Sequence, residues 1–284
     1  MMKVFFYNCL LSMLCLSFPV QAYTGWVEGM KDLIYTPRYF GPNAFPLPEL
    51  VGGKLSPHWA FELRGEYYHS VGDKTQDLLT HLYVPIAQGK AAFSVDWVVY
   101  EHYKLTPERK LEVHAAELTS PISYSGDVIF HCYYQILNSK RIFDMCASIN
   151  LKTASGGRLC DARFTDAATY WIDTHIGRDL YTTPSFSLRA LGMVGFYCWM
   201  TNDIVHRQND ALLYGLGVSA CSRHFCLKSD LSGFYGYENE GDRPLSLRMK
   251  LSYNLKKNAI SFRYSHGLKD TLFDLYSLAY TRSF

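Results

Sequence analysis

The chain has 284 residues, with 28 basic and 26 acidic side chains and a formal net charge of +2 at pH 7. This near balance excludes the clustered positive charge on which nucleic-acid binding depends, so no nucleic-acid partner is expected. After residue 22 there is no stretch of about 18 apolar residues, which excludes a helical membrane protein.

Residues 1–22 are predicted to be a secretory signal peptide. Lys3 supplies a positive start, residues 4–20 are largely apolar, and Val20-Gln21-Ala22 offers a small-residue cleavage site. The alternative is an uncleaved anchor, but the apolar run is short for a spanning helix, which needs about 20 apolar residues. We therefore expect export.

Residues 23–58 do not alternate in polarity and are rich in proline and glycine, which indicates an extended, turning segment. The stretch 39–46 (Tyr-Phe-Gly-Pro-Asn-Ala-Phe-Pro) is too apolar for a solvated linker. We expect this segment on the periplasmic side, either packed as a small plug into that end of the structure formed by the strands that follow, or lying against its rim or a partner.

Residues 59–284 are predicted to form an all-β structure. Between Leu245 and Leu255, apolar or aromatic residues alternate strictly with polar ones, which places the two sets on opposite faces of one strand. The same pattern, less pure, recurs along the chain. It predicts twelve strands at 59–70, 77–86, 91–103, 126–137, 142–153, 169–180, 185–200, 210–221, 224–233, 245–255, 258–267 and 271–284.

The connections between these strands favour a closed antiparallel transmembrane β-barrel over a soluble β-sandwich. Most connections alternate between short and long, as outer-membrane barrels do with periplasmic turns and outside loops. Only a closed sheet pairs every backbone group in lipid. Phe284 ends an alternating strand and resembles the C-terminal signal read by the outer-membrane assembly machinery. The expected partners are that machinery and outer-membrane lipid, in the outer membrane of a Gram-negative bacterium.

Three short motifs carry a family resemblance. They are Ser125-Gly126-Asp127-Val128, Tyr134-Gln135-Ile136-Leu137 and the run 149–156 (Ile-Asn-Leu-Lys-Thr-Ala-Ser-Gly). They resemble the central hairpin of an outer-membrane family linked to meta-pathway phenol degradation, which is similar to the long-chain fatty-acid channels. That family has Pro-Thr-Gly where this chain has Thr153-Ala154-Ser155-Gly156. The resemblance implies an uptake channel for small molecules, hydrophobic ones among them, and transfers no substrate residue.

The candidate functional residues are the polar side chains predicted to face the lumen, where mixed charge would set selectivity for a small-molecule solute. They are Glu62, Arg64, Glu66, Asp96, Asn150, Lys152, Asp173, His175, Arg248, Lys250 and Arg263. No cofactor is expected. The six cysteines after residue 22 match no zinc spacing, so no metal is expected, and most fall within strands, where a free cysteine serves as a small apolar residue.

Two other function classes remain open. In an outer-membrane lipid hydrolase, Asp173 and His175 could act as orienting carboxylate and base for a nucleophile such as Ser148. The pattern, however, aims His175 at the lumen rather than at lipid, and we assign no catalytic residue. A structural or adhesive barrel would use the connections 104–125 and 154–168 as binding surfaces.

Overall fold

A computed structural model describes residues 31–116, 121–139, 141–202 and 205–284. The predicted signal peptide lies outside the described residues. The strands of the described part are β1 (Ala60–Ser70), β2 (Asp73–Ile86), β3 (Ala91–Leu105), β4 (Ile122–Tyr124), β5 (Val128–Leu137), β6 (Asp144–Lys152), β7 (Thr169–Thr182), β8 (Phe186–Met200), β9 (Gln208–Ser222), β10 (Phe225–Gly236), β11 (Leu245–Leu255), β12 (Asn258–Lys269) and β13 (Asp274–Ser283).

Helical structure is sparse in these ranges. One short helix, α1 (Pro107–Glu112), begins after Thr106, whose side chain accepts a hydrogen bond from the Arg109 N–H as an N-cap. Short 3-10 turns lie at 31–32, Ala87–Gly89 and Leu159–Asp161. No helix within the described ranges is both long enough and apolar enough to cross a membrane.

Twelve strands of the described part close into one antiparallel barrel, which confirms the predicted fold class. Consecutive strands pair with each other, β3 pairs with β5, and β13 closes the ring against β1 from Ala60↔Ser283 to His69↔Asp274. Among the described residues, the short strand β4 pairs with the far end of β3 alone. Closure leaves the barrel without an open sheet edge.

The alternation of apolar and polar residues in the sequence places the apolar side chains on the outer face of the barrel wall and the polar ones on its inner face. In β6, the outward side chain of Ile149 is 63% exposed, whereas that of Asn150 beside it is 2% exposed. Outward aromatic side chains collect towards both ends of the strands, as in the interfacial girdles of membrane barrels. They are Tyr100, Tyr170, Tyr235 and Tyr276 at one end and Tyr181, Phe186, Phe225, Tyr253 and Tyr280 at the other. The outer face is therefore suited to lipid.

The two ends of the barrel differ in their connections. The short-turn end carries the connections 87–90, 138–143, 183–185, 223–224 and 256–257. The long-loop end carries the connections 71–72, 106–127, 153–168, 201–207, 237–244 and 270–273. The long-loop end thus includes two short members, 71–72 and 270–273. The first barrel strand, β1, begins at the short-turn end, and the last, β13, ends there.

The described part of the N-terminal segment, residues 31–58, runs through the lumen along its length. At the long-loop end, Asn202 donates to the Leu33 carbonyl at 2.9 Å and Trp199 donates to the Tyr35 carbonyl at 2.7 Å. At the short-turn end, Tyr83 donates to the Ser56 carbonyl at 3.0 Å. Thus the last residues of the segment lie at the short-turn end and its earlier residues reach through the lumen to the long-loop end, because their apolar side chains find partners deep in the barrel.

Those apolar side chains build the core inside the barrel. Phe40, Phe45 and Leu50 of the segment are buried against inward-facing residues of β7 to β10. The Phe45 ring meets Trp199 edge to face, with ring centroids 5.6 Å apart. Such pairs add to the free energy of burial. The segment is therefore held to one side of the lumen by packing.

Two cysteines depart from the expectation of free thiols. Cys221 and Cys226 form a disulfide across the β9–β10 hairpin, where they face each other in the strand register. Cys132, Cys146 and Cys198 form no disulfide. The hairpin turn 223–224 brings the two strands together directly beside this pair.

Candidate functional site in the lumen

A cavity of about 490 Å³ lies in the lumen beside the N-terminal segment. On one side it is bounded by segment residues between Pro42 and Leu55, and on the other by inward side chains of the barrel wall. It reaches from Tyr68 and Phe273, near the long-loop end, to Tyr83, near the short-turn end. The cavity thus follows most of the height of the barrel.

Most of the candidate residues from the sequence line this cavity. They are Glu62, Arg64, Glu66, Asp96, Asn150, Asp173, His175, Arg248, Lys250 and Arg263. Lys152 faces inward as well but is fully buried in an ion pair near the long-loop end. The sequence analysis did not single out Glu49, His81, His131 or Lys228, which also line the cavity. The three in strands, His81, His131 and Lys228, share the inward parity of their strands, which is the signal that could have found them.

Basic side chains of β10 and β11 hold the N-terminal segment by its backbone. Lys228 donates to the Leu50 carbonyl at 2.5 Å, and Arg248 donates to the Leu47 and Pro48 carbonyls at 2.9 and 2.7 Å. These charge-assisted bonds are stronger than bonds between neutral groups. They satisfy carbonyl groups that have no strand partner.

Glu49 carries the only carboxylate of the stretch 47–50. It points towards the basic wall, by which we mean the basic side chains of β1 and β10 to β12 that line the cavity: Arg64, Lys228, Arg248, Lys250 and Arg263. Glu49 Oε1 lies 2.6 Å from Arg263 Nη2 and 3.7 Å from Arg64 Nη1. Arg64 also contacts Glu62 at 2.7 Å and Glu66 at 3.3 Å. The centre of the cavity therefore carries a network of opposite charges that joins the segment to β1 and β12.

A hydrogen-bonded chain of polar side chains lines the opposite wall, on β2, β3, β5 and β6. Asp96 contacts both His81 and His131, the latter at 3.1 Å between Oδ2 and Nε2. His131 Nδ1 lies 2.7 Å from Asn150 Oδ1, and Asn150 Nδ2 donates to the Ser148 hydroxyl at 2.8 Å. Because each member has a partner, this wall is polar without a stranded buried charge.

The three residues of the hydrolase alternative, Ser148, Asp173 and His175, lie close together, but His175 does not contact the Ser148 hydroxyl as a catalytic base would. The Ser148 hydroxyl donates to Asp173 Oδ1 at 2.6 Å, and His175 Nε2 contacts the same oxygen at 2.9 Å. The Val51 N–H donates to His175 Nδ1 at 3.3 Å, so both ring nitrogens are engaged and neither faces Ser148. A nucleophile needs its base within hydrogen-bond reach. The geometry therefore gives no support to hydrolysis at this position.

The connection 153–168 folds into the mouth of the lumen at the long-loop end. The Arg163 side chain, 1% exposed, donates to Asp73 at 2.6 Å, Thr75 at 2.7 Å and Glu101 at 2.9 Å. The Gly41 N–H donates to the Ala162 carbonyl at 2.8 Å and thereby ties the N-terminal segment to the same connection. The mouth is thus narrowed by a buried ion-pair cluster.

Two of the three motifs behind the family resemblance, 125–128 and 149–156, meet at the base of this connection, whereas Tyr134–Leu137 lies at the short-turn end of β5. Lys152 Nζ lies 2.6 Å from Asp127 Oδ2, and the Gly156 N–H donates to Asp127 Oδ1 at 2.6 Å. The Val128 N–H donates to the Thr153 and Ser155 hydroxyls at 3.2 and 3.0 Å. The motif residues therefore anchor the 153–168 connection to the start of β5. Within the described ranges, no group of three or more His, Cys, Asp or Glu residues is arranged to hold a metal ion.

No family model and no curated protein matches the chain. Among solved structures, the COG4313 outer membrane channel from Pseudomonas putida F1 is similar over 85% of this chain and 98% of that chain, with a TM-score of 0.54 and 12% identity. The transport unit of the autotransporter AIDA-I from Escherichia coli is similar over 88% of this chain and 100% of that chain, with a TM-score of 0.50 and 10% identity.

At these identities the likeness concerns the fold alone. It agrees with the closed sheet of twelve strands in the described part of the chain and with the apolar outer face. Lipid is the environment in which such an outer face and such a closed sheet are both favourable. The chain therefore folds as an outer-membrane β-barrel.

Proposed function

We propose that the protein is an outer-membrane channel for the uptake of small polar solutes, and that residues 31–58 act as a plug that limits its conductance. The observation that carries this proposal is the cavity beside that segment, which follows most of the height of the lumen and is lined by charged side chains. A charged lining of this kind is what sets selectivity in a water-filled channel.

The size of the cavity bounds the solute. The cavity has a volume of about 490 Å³. Ligand pockets for small molecules fall in the same size range. The proposal is therefore for solutes the size of a single small metabolite, with the segment in place.

The lining favours polar over apolar solutes. Within the cavity, an apolar solute would separate charged groups such as Arg64, Asp96 and Lys250 from water without replacing their hydrogen bonds, which is costly. The resemblance to the meta-pathway phenol degradation group implies hydrophobic compounds among the solutes. Membership of that group stays a prediction, and the charged lining supports a polar solute instead.

The test is single-channel conductance of the purified protein in planar bilayers, with one variant that loosens the segment. Gly53 has φ +76°, and a Cβ there would lie 2.3 Å from the Asp144 carbonyl oxygen, so Gly53→Ala forces the segment away from the wall. Gly65 in β1 is the matched control, because a Cβ there would have no atom within 4 Å.

We expect a small conductance for the unmodified protein, a larger one for Gly53→Ala, and no change for Gly65→Ala. The folded state of each protein is checked beforehand by its circular dichroism and its resistance to protease. If all three proteins are folded but silent, the channel proposal fails and a structural or adhesive role is favoured. If they conduct equally, the plug fails and the channel stands.

A further inference from the structure

We propose that Glu49 occupies an anion-binding site of the lumen and that the solutes of this channel are small carboxylates, which take the same site when the segment moves. The inference rests on the proposed function and adds the chemical class of the solute. The starting observation is that the carboxylate in contact with Arg263 comes from the N-terminal segment and not from the barrel wall.

The basic side chains of β11 and β12 differ in whether they have a carboxylate partner other than Glu49. Arg248 has its own carboxylate on the wall, Asp230 at 2.7 Å. By contrast, Glu49 at 2.6 Å is the one carboxylate that Arg263 contacts within the described ranges. Lys250 reaches Glu62 only at 3.8 Å. Withdrawal of Glu49 would therefore leave Arg263 of β12 without a carboxylate partner among the described residues, and Lys250 of β11 with Glu62 at 3.8 Å.

The site is accessible from the cavity. The Glu49 side chain is 41% exposed, and the Arg263 side chain is 9% exposed on the same cavity surface. The segment is held here by backbone carbonyls and one carboxylate rather than by strand pairing, so no sheet has to break for Glu49 to move. A solute that enters the cavity can thus reach the cations that Glu49 contacts.

The donor set specifies the class of anion. The guanidinium of Arg263 is planar and presents paired N–H donors that match the two oxygens of a carboxylate. Lys228 and Lys250 add charge that attracts the Glu49 carboxylate without fixing its direction. Because the occupant that the chain itself supplies is a carboxylate, a carboxylate solute is the ligand that replaces it with the least rearrangement.

The experiment compares the full-length protein with Glu49→Gln, which keeps the shape of the side chain and removes its charge. Glu238→Gln is the control, since Glu238 is an exposed residue of the 237–244 connection outside the cavity. The anion-to-cation permeability ratio is obtained from the reversal potential in a potassium chloride gradient. The concentration of acetate or benzoate that reduces the chloride current by half is measured in the same bilayers.

We expect Glu49→Gln to raise the anion preference several-fold and to lower the half-blocking carboxylate concentration, with no change for Glu238→Gln. Adding Arg263→Gln should abolish both gains. The proposal is overturned if the channels conduct but Glu49→Gln changes neither quantity, or if the gains survive the loss of Arg263.

Calorimetric titration of acetate into the detergent-solubilised barrels separates this site from channel activity. Acetate binding to Glu49→Gln that is lost in Glu49→Gln/Arg263→Gln supports the anion site, even if the barrels are silent in bilayers. Absence of binding to Glu49→Gln overturns the site, even if the barrels conduct.

Discussion

Replacing Arg163 by Ala is expected to release the 153–168 connection from the mouth of the barrel. The guanidinium of Arg163 is the shared partner of two carboxylates, Asp73 on β2 and Glu101 on β3, which are 2% and 0% exposed. In the folded mouth, the variant leaves both carboxylates buried without their cation. Opening of the 153–168 connection exposes both carboxylates to water. The substitution therefore destabilises the closed state and leaves the open state nearly unaffected, so the free energy of opening falls.

The magnitude follows from the cost of breaking a buried ion pair, about 3–5 kcal/mol when one partner is removed. Water can enter the mouth once the arginine side chain is gone, so we take the lower value, about 3 kcal/mol. At about 1.4 kcal/mol per factor of ten, this corresponds to an increase of about a hundredfold in the population of the open connection.

Hydrogen exchange measures that population directly. Amides of residues 159–166, and the Gly41 amide that bonds the Ala162 carbonyl, should lose about two orders of magnitude of protection in Arg163→Ala. The exposed Arg223 of the 223–224 turn provides the control, and Arg223→Ala should leave these amides unchanged.

A compensated variant separates charge from packing. Arg163→Met combined with Asp73→Asn and Glu101→Gln removes the buried charges together, and it should restore much of the lost protection. The reasoning is refuted if the single variant exchanges like the unmodified protein. It is also refuted if the compensated variant is as unprotected as Arg163→Ala.

Three further predictions concern stability and chemistry. Lys152→Met should lower the free energy of unfolding in lipid vesicles by about 3 kcal/mol, because Asp127 stays buried without its cation, and added Asp127→Asn should recover much of it. Burial and the Asp166 carboxylate raise the pKa of Tyr35 above its usual 10. The unfolded phenol then ionises first, so stability falls above about pH 10, and Tyr35→Phe should lessen that fall in unfolding curves. The unmodified protein and its His175→Ala variant should both release fluorescent fatty acid from a phospholipid substrate only at background, because the geometry gives His175 no contact with Ser148; activity that is lost on this substitution would contradict that reasoning.

The strand pattern could be predicted because a period of two ties each side chain to a face. In β11 the alternation places Arg248 inside, 8% exposed, and Met249 outside, 46% exposed. A shift of one residue would turn every charge of the strand into lipid, so the register is strongly specified. The inward positions of the candidate residues follow from the same parity, whereas their role in selectivity stays a prediction that the bilayer experiments address.

The pairing of Cys221 with Cys226 depends on the exact position of the hairpin turn, which the predicted strand ends at residues 221 and 224 placed one residue too early. A two-residue turn at 223–224 brings residues 221 and 226 opposite each other in the β9–β10 register. Treating the cysteines one by one, as small apolar residues within strands, left out this geometry. Spacing across a hairpin turn is therefore a better guide to such a pair than total cysteine count.

The path of residues 31–58 could not be read from their sequence, for a physical reason. Basic side chains of the barrel wall donate hydrogen bonds to the backbone carbonyls of Leu47, Pro48 and Leu50. Every residue type has such a carbonyl, so these contacts leave no mark in the sequence of the segment. Periodicity is absent, and prolines exclude a strand partner. What the sequence does contain is the complement on the wall, the inward basic residues Lys228 and Arg248.

This complementarity bears on how the plug and the pore are related. A segment paired as a strand would be part of the wall and could leave only by breaking a ladder of hydrogen bonds. Here cationic side chains of the wall bind backbone carbonyls of the segment and the Glu49 carboxylate. Water or a solute anion can replace these groups one at a time. A lumen built this way favours exchange of its occupant. The charged residues that hold the segment are therefore the same residues that we expect to select the solute.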